Sequence, residues 1–421
     1  MTRTLVAGLL AFCCATVPAA AQAPQTQPAN YRALFDKLAD TVEEHFYDPS
    51  FRGADWPALR VRYRARVATV RDNAAFAALA GEMLQKLRSS HLDLMPPQAA
   101  VSGDADVAAQ WEQIGRETVV TRVSPLSDAR RQGLRPGYVV MKKPSWGPLG
   151  SMAQLEVRDC SGRPATLAVR REGAFWPPDE PSFTWSVISR GPASSVGYLR
   201  VDGFGDDGAE LADLAMADLA GASALIIDIR NNPGGNASAL RLASYFTQGA
   251  QPALGLLTRE WLVRLGRPTR AEDVLAAPRL TGAYTTAKVF EGLSAGKGGA
   301  MLWTEDLGAK RWNKPVALLI GGGSGSAAEG FAWLMKLRTK AVLVGRETAG
   351  ALLGSETFDL GQGWKLRVPV HGIWAPDGQD YGDRAVAPDV KVARTPEQLC
   401  AGRDPDIEAA LDLFSSPTSQ D

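Results

Sequence analysis

The 421-residue sequence predicts an α/β fold, and three patterns lead to this prediction. A buried strand, a glycine-rich turn and a helix follow one another twice, at residues 224–246 and again at residues 314–350. Amphipathic helical patterns occupy residues 30–88, and strand patterns separated by turn residues occupy residues 102–175. We therefore predict a small N-terminal helical unit, a β-rich domain and an α/β core that spans residues 190–415.

The N-terminus has the pattern of a secretory signal peptide. Arg3 supplies the positive charge, Leu5 to Val17 form the apolar segment, and Ala19 to Ala21 are the small residues of a cleavage site. The apolar segment is too short to span a bilayer. We predict that residues 1–21 are removed, that the mature protein is periplasmic or secreted, and that it has no stable membrane insertion.

Charge and cysteine content narrow the function classes further. The chain has 46 basic and 46 acidic residues, which gives no reason to expect a nucleic-acid partner. After signal removal only Cys160 and Cys400 remain. These could pair in an oxidising compartment, but they lie far apart in the sequence and nothing else in it links them. Because no cluster of cysteine and histidine has metal-ligand spacing, we predict neither a metal site nor a cofactor.

The glycine-rich turn after the strand at residues 316–320 carries two serines, Ser324 and Ser326. A buried strand that runs into such a turn can present a hydroxyl at a pocket floor, with backbone N–H groups beside it. The helix start that follows also favours negative charge, such as a developing oxyanion. The alternative is that one of these serines only caps the helix, because serine is a preferred N-cap residue.

A serine nucleophile needs a base, and the chain has three histidines. His45 lies within a helical pattern and is most simply a structural residue. His91 lies in the loop segment LRSSHLDL, where Ser90 could orient its ring. His371 ends the strand pattern LRVPVH and remains a rival base.

Three motifs occur in the order found in the tail-specific protease and tricorn-core family of serine peptidases, which the chain resembles. They are DIRNNPGG at residues 228–235, SAAE at residues 326–329 and APDVKV at residues 387–392. The resemblance implies a ββα-spiral core of the crotonase and ClpP type, preceded by a helical unit at residues 30–98. It also implies an inserted PDZ-like domain at residues 102–175, although Tyr138 stands where that pattern usually has Asp. Residues 250–312 match no motif, and we expect a long loop region there that forms a lid or a substrate wall, or else is mobile.

The resemblance implies roles for the residues of the candidate site. Ser326 would be the nucleophile, and the backbone amides of Gly234 or Gly235 would form the oxyanion hole with that of Ala327. The Ser–Lys branch of the family carries its lysine at the position of Ala351 here, so a lysine base is not expected.

The tricorn-like branch instead uses a histidine after the N-terminal helices, and Ser90 and His91 match that pattern. An acidic residue should assist them near Gly382. Of the two candidates we rank Asp383 ahead of Asp380.

These observations predict a serine endopeptidase that cleaves peptide bonds through an acyl-enzyme on Ser326, with His91 as general base. The expected partner is a peptide or protein substrate, with its C-terminus as the candidate recognition element. Three alternatives remain open: a peptide-binding protein without catalysis, an esterase-type hydrolase, and an enzyme whose base is His371. The esterase reading is weakened because Ser326 is not in a G-x-S-x-G motif.

Overall fold

The computed structural model describes residues 30–97, 104–105, 107–143, 147–172, 182–189 and 195–415. The predicted signal peptide lies outside these ranges. Within them, no helix has the length and the apolar character that a membrane crossing requires.

The N-terminal unit contains the three helices that the periodicity predicts: α1 (Tyr31–His45), α2 (Trp56–Val67) and α3 (Asn73–Leu84). Side chains of Asn30, Asp55 and Asp72 accept hydrogen bonds from the first turn of each helix, which explains where the helices begin. Their apolar faces pack on residues of a later hairpin, including Trp364. A short strand, β1 (Asp93–Met95), then pairs antiparallel with residues 365–367.

The β-rich region follows, with strands that pair largely in a meander. Its elements are β2 (Asp104–Ala105), β3 (Ala109–Ile114), β4 (Glu117–Val123), α4 (Asp128–Arg131), β5 (Val139–Lys142), β6 (Gly147–Pro148), β7 (Met152–Arg158) and β8 (Pro164–Arg170). The main sheet has the order β3-β4-β5-β7-β8 and its own apolar core. A disulfide between Cys160 and Cys400 attaches this region to the C-terminal part of the chain.

The remaining residues form the α/β core. Its elements are β9 (Phe183–Ser189), β10 (Ser195–Val201), α5 (Gly208–Asp218), β11 (Ala224–Asp228), α6 (Ala239–Ser244), β12 (Pro252–Thr258), α7 (Arg259–Leu265), α8 (Ala271–Leu275), β13 (Arg279–Leu280), α9 (Thr286–Ala295), β14 (Gly299–Trp303), β15 (Val316–Ile320), α10 (Ala327–Arg338), β16 (Val342–Gly345), β17 (Gly354–Gly361), β18 (Trp364–Trp374), β19 (Val390–Lys391), α11 (Pro396–Cys400) and α12 (Pro405–Leu413).

One core sheet has the strand order β19-β16-β15-β11-β10-β9, and all its neighbours are parallel except β9 and β10. Strands β11 and β15 are adjacent in it, and both are fully buried. The carboxyl ends of adjacent parallel strands lie at the same edge, so the two glycine-rich turns meet there.

The second sheet has the order β1-β18-β12-β14-β13, with β17 paired to β18. The expectation of a long loop region at residues 250–312 is therefore wrong. Strands β12 and β14 from this segment lie inside the sheet, and both are largely buried. Buried strands have continuous apolar sequences without alternation, and the short helices between these two obscured the pattern.

Candidate active site

The two glycine-rich turns contact each other at the edge of the parallel sheet. The N–H of Gly325 donates to the carbonyl of Asn232 at 2.9 Å. A Cβ atom on Gly234 would lie 2.6 Å from Cβ of Ser326 and 3.0 Å from N of Ala327. Only glycine allows this approach, so the NNPGG turn places backbone directly beside Ser326.

The two candidate serines differ in their environment. Ser324 is fully buried; its hydroxyl donates to the carbonyl of Ile229 at 2.7 Å and accepts from the N–H of Gly321 at 3.1 Å. Ser324 therefore holds the turn together. Ser326 precedes α10 with φ 51° and ψ −122° and lines a cavity. A non-glycine residue in the left-handed region stores conformational strain, which is common where a side chain is presented for function.

A buried carboxylate fixes the backbone around Ser326. Glu329 is fully buried and accepts hydrogen bonds from the N–H groups of Ser326, Gly350 and Ala351 at 3.1, 2.6 and 2.7 Å. The hydroxyl of Thr348 donates to it at 2.6 Å. Because Glu329 lies in the first turn of α10, the helix dipole also stabilises its charge. The carboxylate thus ties the serine to the segment at residues 348–351.

The predicted oxyanion donors are not equivalent. The N–H of Gly234 already donates to Oδ1 of Asn232 at 2.8 Å. Within the described ranges, the N–H groups of Gly235 and Ala327 make no intramolecular hydrogen bond. Both residues line the same cavity as Ser326. These two N–H groups are therefore free to bind an oxyanion, whereas that of Gly234 would first have to leave Asn232.

The turn that carries Gly235 is anchored by a buried ion-pair network. Arg230 is nearly completely buried and pairs with Asp228 and Asp406 at 2.7 Å and with Asp404 at 2.8 Å. Burial opposes the charged form of Asp406, but its hydrogen bond from Arg346 and the charges of Arg394 and Arg230 outweigh this and lower its pKa. These contacts hold the start of the NNPGG turn rigidly between the sheet and α12.

His91 follows α3 in a short loop, and its φ of 56° is also in the left-handed region. Its Nδ1 lies 3.0 Å from the hydroxyl oxygen of Ser90. The N–H of Ser90 donates to Oδ1 of Asp383 at 3.2 Å, and Arg52 forms an ion pair with the same carboxylate. The loop that carries His91 is thus held by the segment that carries Asp383.

Nearby charges act on the His91 imidazole in opposite directions. Burial lowers its pKa most, and the positive charge of Arg367 lowers it further. The carboxylates of Asp383 and Asp93 raise it, with a smaller combined effect. Arg367 is itself paired with Asp93 at 2.6 Å. The net effect lowers the pKa of His91 and favours the neutral imidazole, the form that can accept a proton.

The two acidic candidates have different roles in the structure. Oδ1 of Asp380 accepts from the N–H of Gly382 at 2.8 Å, and burial raises the pKa of its carboxyl. Asp383, with φ 56°, contacts Ser90 and Arg52. The geometry therefore brings Asp383 to the His91 loop, whereas Asp380 binds its own turn.

Ser326 and His91 open onto one cavity of about 370 Å³. No hydrogen bond joins the Ser326 hydroxyl to His91 in the part of the chain that the structure describes. Hydrogen bonds between a nucleophile and its base are often loose without substrate. His371 lines the same cavity, and burial lowers its pKa to about 4. Within the described ranges, no lysine lines the cavity and no cluster of His, Cys, Asp and Glu could hold a metal ion.

Comparison with known proteins identifies two family domains in the chain. Residues 195–392 match the model of peptidase family S41, and residues 27–85 match that of the tricorn protease C1 domain. A carboxyl-terminal-processing protease of Picosynechococcus sp. is 23% identical over 410 residues, which cover 89% of this chain and 87% of that protein. This chain is a serine peptidase with a family S41 domain.

Further relatives of this serine peptidase include both carboxyl-terminal-processing proteases and a tricorn protease homolog. A carboxyl-terminal-processing protease of Synechocystis sp. is 25% identical over 403 residues, or 89% of this chain and 84% of that protein. A putative tricorn protease homolog 2 of Streptomyces coelicolor is 24% identical over 425 residues, or 91% of this chain and 32% of that protein.

Solved structures share the fold of this serine peptidase. The photosystem II D1 C-terminal processing protease has a TM-score of 0.57 at 19% identity, and the match covers 93% of this chain and 99% of that one. Mature CPAF has a TM-score of 0.62 at 15% identity, and the match covers 91% of this chain and 96% of that one. The mixed α/β architecture with several sheets is therefore that of S41 proteases.

Ala351, where the resemblance to the Ser–Lys branch predicts the lysine position, contacts the site through its backbone. The carbonyl of Ala351 accepts from the N–H of Ser326 at 3.1 Å, and its own N–H donates to Glu329. The Ala351 side chain is a methyl group and cannot act as a base.

Sequence reasoning missed several residues that support the site. Arg52 pairs with Asp383 across 331 positions, and no local pattern predicts such a contact. Arg367 near His91 was missed for the same reason. Glu329 could have been found, because an acidic residue three positions after a helix-start serine often binds backbone N–H groups there.

Proposed function

We propose that this protein is an endopeptidase that cleaves peptide bonds through an acyl-enzyme on Ser326, with His91 as general base. The observation that carries the proposal is that Ser326 and His91 open onto one cavity. The unpaired N–H groups of Gly235 and Ala327 line the same cavity.

The chemistry follows from this arrangement. Nδ1 of His91 lies against Ser90, so Nε2 is the nitrogen left to take the proton of the Ser326 hydroxyl as Oγ attacks the substrate carbonyl carbon. The negative charge on the carbonyl oxygen is held by the N–H groups of Gly235 and Ala327, each worth roughly 3–4 kcal/mol in the transition state. His91 then gives the proton to the leaving amine, and water repeats the cycle on the acyl-enzyme.

Ser90 and Asp383 serve as positioning residues in this proposal. Ser90 holds the imidazole through Nδ1, and the Asp383 carboxylate fixes the Ser90 backbone while favouring the charged ring. His371 is a weaker base candidate, because its Nδ1 has no hydrogen-bond partner among the described residues and burial lowers its pKa to about 4.

We further propose that the core is a ββα-spiral, that the β-rich region is a PDZ-like domain, and that the enzyme works in the periplasm or outside the cell. A PDZ-like sheet edge would bind the C-terminal segment of a substrate as an added strand. The relatives named for carboxyl-terminal processing support such substrates. The Cys160–Cys400 disulfide supports an oxidising compartment, as the signal-peptide pattern does.

The test is labelling of the mature protein by a fluorophosphonate probe, read by intact mass, for wild type, Ser326→Ala, His91→Ala and His371→Ala. We expect one label on wild type and on His371→Ala, and none on the other two. Labelling that persists in His91→Ala but not in His371→Ala would make His371 the base. Labelling that persists in Ser326→Ala would refute the nucleophile.

A further inference from the structure

The cavity below Ser326 is a deep, mostly apolar pocket. Its volume is about 370 Å³, enough for a large side chain. Its inner wall carries Leu240, Leu254 and Leu302, which are each less than a tenth exposed. Helix α9, from the segment at residues 250–312 that matched no motif, adds Val289 and Phe290.

The position of the pocket indicates which substrate residue it binds: the residue on the acyl side of the scissile bond. Gly330, Phe331 and Leu334 of α10 line it, so it extends from Ser326 along the helix into the core. His91 would protonate the leaving amine, and the Asp93–Arg367 ion pair lies near its ring. The leaving side of the substrate therefore lies towards His91, and the interior pocket receives the side chain of the residue that contributes the scissile carbonyl.

One polar ring stands in the apolar wall. His371 is 6% exposed, and its Nδ1 has no hydrogen-bond partner among the residues that the structure describes. The ring lies over Gly354, where a Cβ atom would come within 1.7 Å of Nε2, and its centroid is 6.0 Å from that of Phe290. Leaving a buried polar group unpaired is unfavourable, so such a ring in a substrate pocket favours a guest that can hydrogen-bond.

The charges that line the pocket limit which substrate side chain it can bind. No acidic residue is among its lining residues in the described ranges, so a lysine or arginine side chain would be buried there without a counter-ion. Because burial keeps the His371 imidazole neutral, the ring has one donor and one acceptor nitrogen. A phenolic hydroxyl can both donate and accept, and the rest of the tyrosine ring is apolar.

We infer that His371 is a specificity-determining residue, and that the pocket selects substrates with tyrosine on the acyl side of the scissile bond. This inference rests on the proposed peptidase function and names its substrate class.

The test uses the wild-type enzyme and peptides that differ only in the residue on the acyl side of the scissile bond. This residue is tyrosine, phenylalanine, 4-methylphenylalanine, leucine, alanine or lysine. 4-Methylphenylalanine matches tyrosine in size but cannot form hydrogen bonds. We expect kcat/KM for tyrosine to exceed that for phenylalanine and for 4-methylphenylalanine about fivefold, since a net hydrogen bond contributes about 1 kcal/mol. Alanine and lysine should be the poorest substrates.

A matched variant, His371→Phe, keeps an aromatic ring but removes both nitrogens. In this variant kcat/KM should be equal for the tyrosine and phenylalanine peptides. It should still be higher for the phenylalanine peptide than for the alanine peptide. Efficient cleavage of the alanine peptide with no preference for tyrosine would overturn the inference and leave the peptidase function standing. An unchanged ratio of tyrosine to 4-methylphenylalanine in His371→Phe would overturn it as well. Failure to cleave any of the peptides would refute the proposed function and this inference with it.

Discussion

Nδ1 of His91 lies 3.0 Å from the hydroxyl oxygen of Ser90, its neighbour in the chain. The backbone of His91 has a φ of 56°, in the left-handed region that non-glycine residues seldom adopt. The contact occupies Nδ1 and leaves Nε2 for the proton transfer that the proposed mechanism requires.

Ser90→Ala should lower kcat/KM about fivefold, because it removes one hydrogen bond that orients the ring and contributes about 1 kcal/mol. Ser89→Ala is the matched control, since the Ser89 hydroxyl donates only to the carbonyl of Ser90 at 3.1 Å. Steady-state kinetics on one peptide will compare the two variants. Equal activity of both variants would show that Ser90 does not position the base.

The pH profile should respond in opposite directions to two substitutions. The acidic limb of the pH profile of kcat/KM reports the pKa of the free base, which burial and Arg367 hold below its usual value in His91. Arg367→Gln removes a positive charge, so the pKa of His91 should rise and the limb should move to higher pH. Asp383→Asn removes a negative charge, so the limb should move to lower pH.

The control for charge removal at this site is Arg384→Gln, because Arg384 is an exposed residue next to Asp383 in sequence. The acidic limb of the kcat/KM profile of Arg384→Gln should stay at the wild-type pH. A shift of the Arg367→Gln and Asp383→Asn limbs in the same direction would contradict His91 as the titrating base.

Glu329→Gln should destabilise the protein and reduce kcat. A glutamine at this position turns an amide NH2 towards the N–H groups of Ser326, Gly350 and Ala351, so at least one buried donor loses its acceptor. Each such loss costs about 1–3 kcal/mol. Urea unfolding will measure the change, with the exposed Glu347→Gln as control. Wild-type stability in Glu329→Gln would mean that the carboxylate does not hold the turn.

The sequence predicts local structure well where local interactions decide it. Helices α1 to α3 begin at Asn30, Asp55 and Asp72 caps, and both glycine-rich turns follow continuous apolar strands. The sheet partners of β12 and the position of α9 were not predictable, because their neighbours come from distant parts of the chain.

In the candidate site, too, local features were predictable from the sequence and long-range contacts were not. The glycine-rich turns are recognisable in the sequence, but the choice of Ser326 over Ser324 came from the family resemblance, and Gly234 and Gly235 were not distinguished. By contrast, Asp383 was hard to separate from Asp380, since what distinguishes them is the contact with Ser90 and Arg52. His371 was considered only as a base, and its place in the pocket wall follows from the β12–β18 and β17–β18 pairings.

The disulfide gives the last prediction. Cys160 and Cys400 are separated by 240 residues, so their link restricts the unfolded chain over a long loop and joins the β-rich region to α11. The double variant Cys160→Ser/Cys400→Ser should lose about 2–5 kcal/mol of unfolding free energy. Dithiothreitol should destabilise wild type by a similar amount and leave the double variant unchanged, which separates loss of the bond from effects of the serines. If the reductant destabilises both proteins equally, or neither, the bond does not contribute to the folded state in solution.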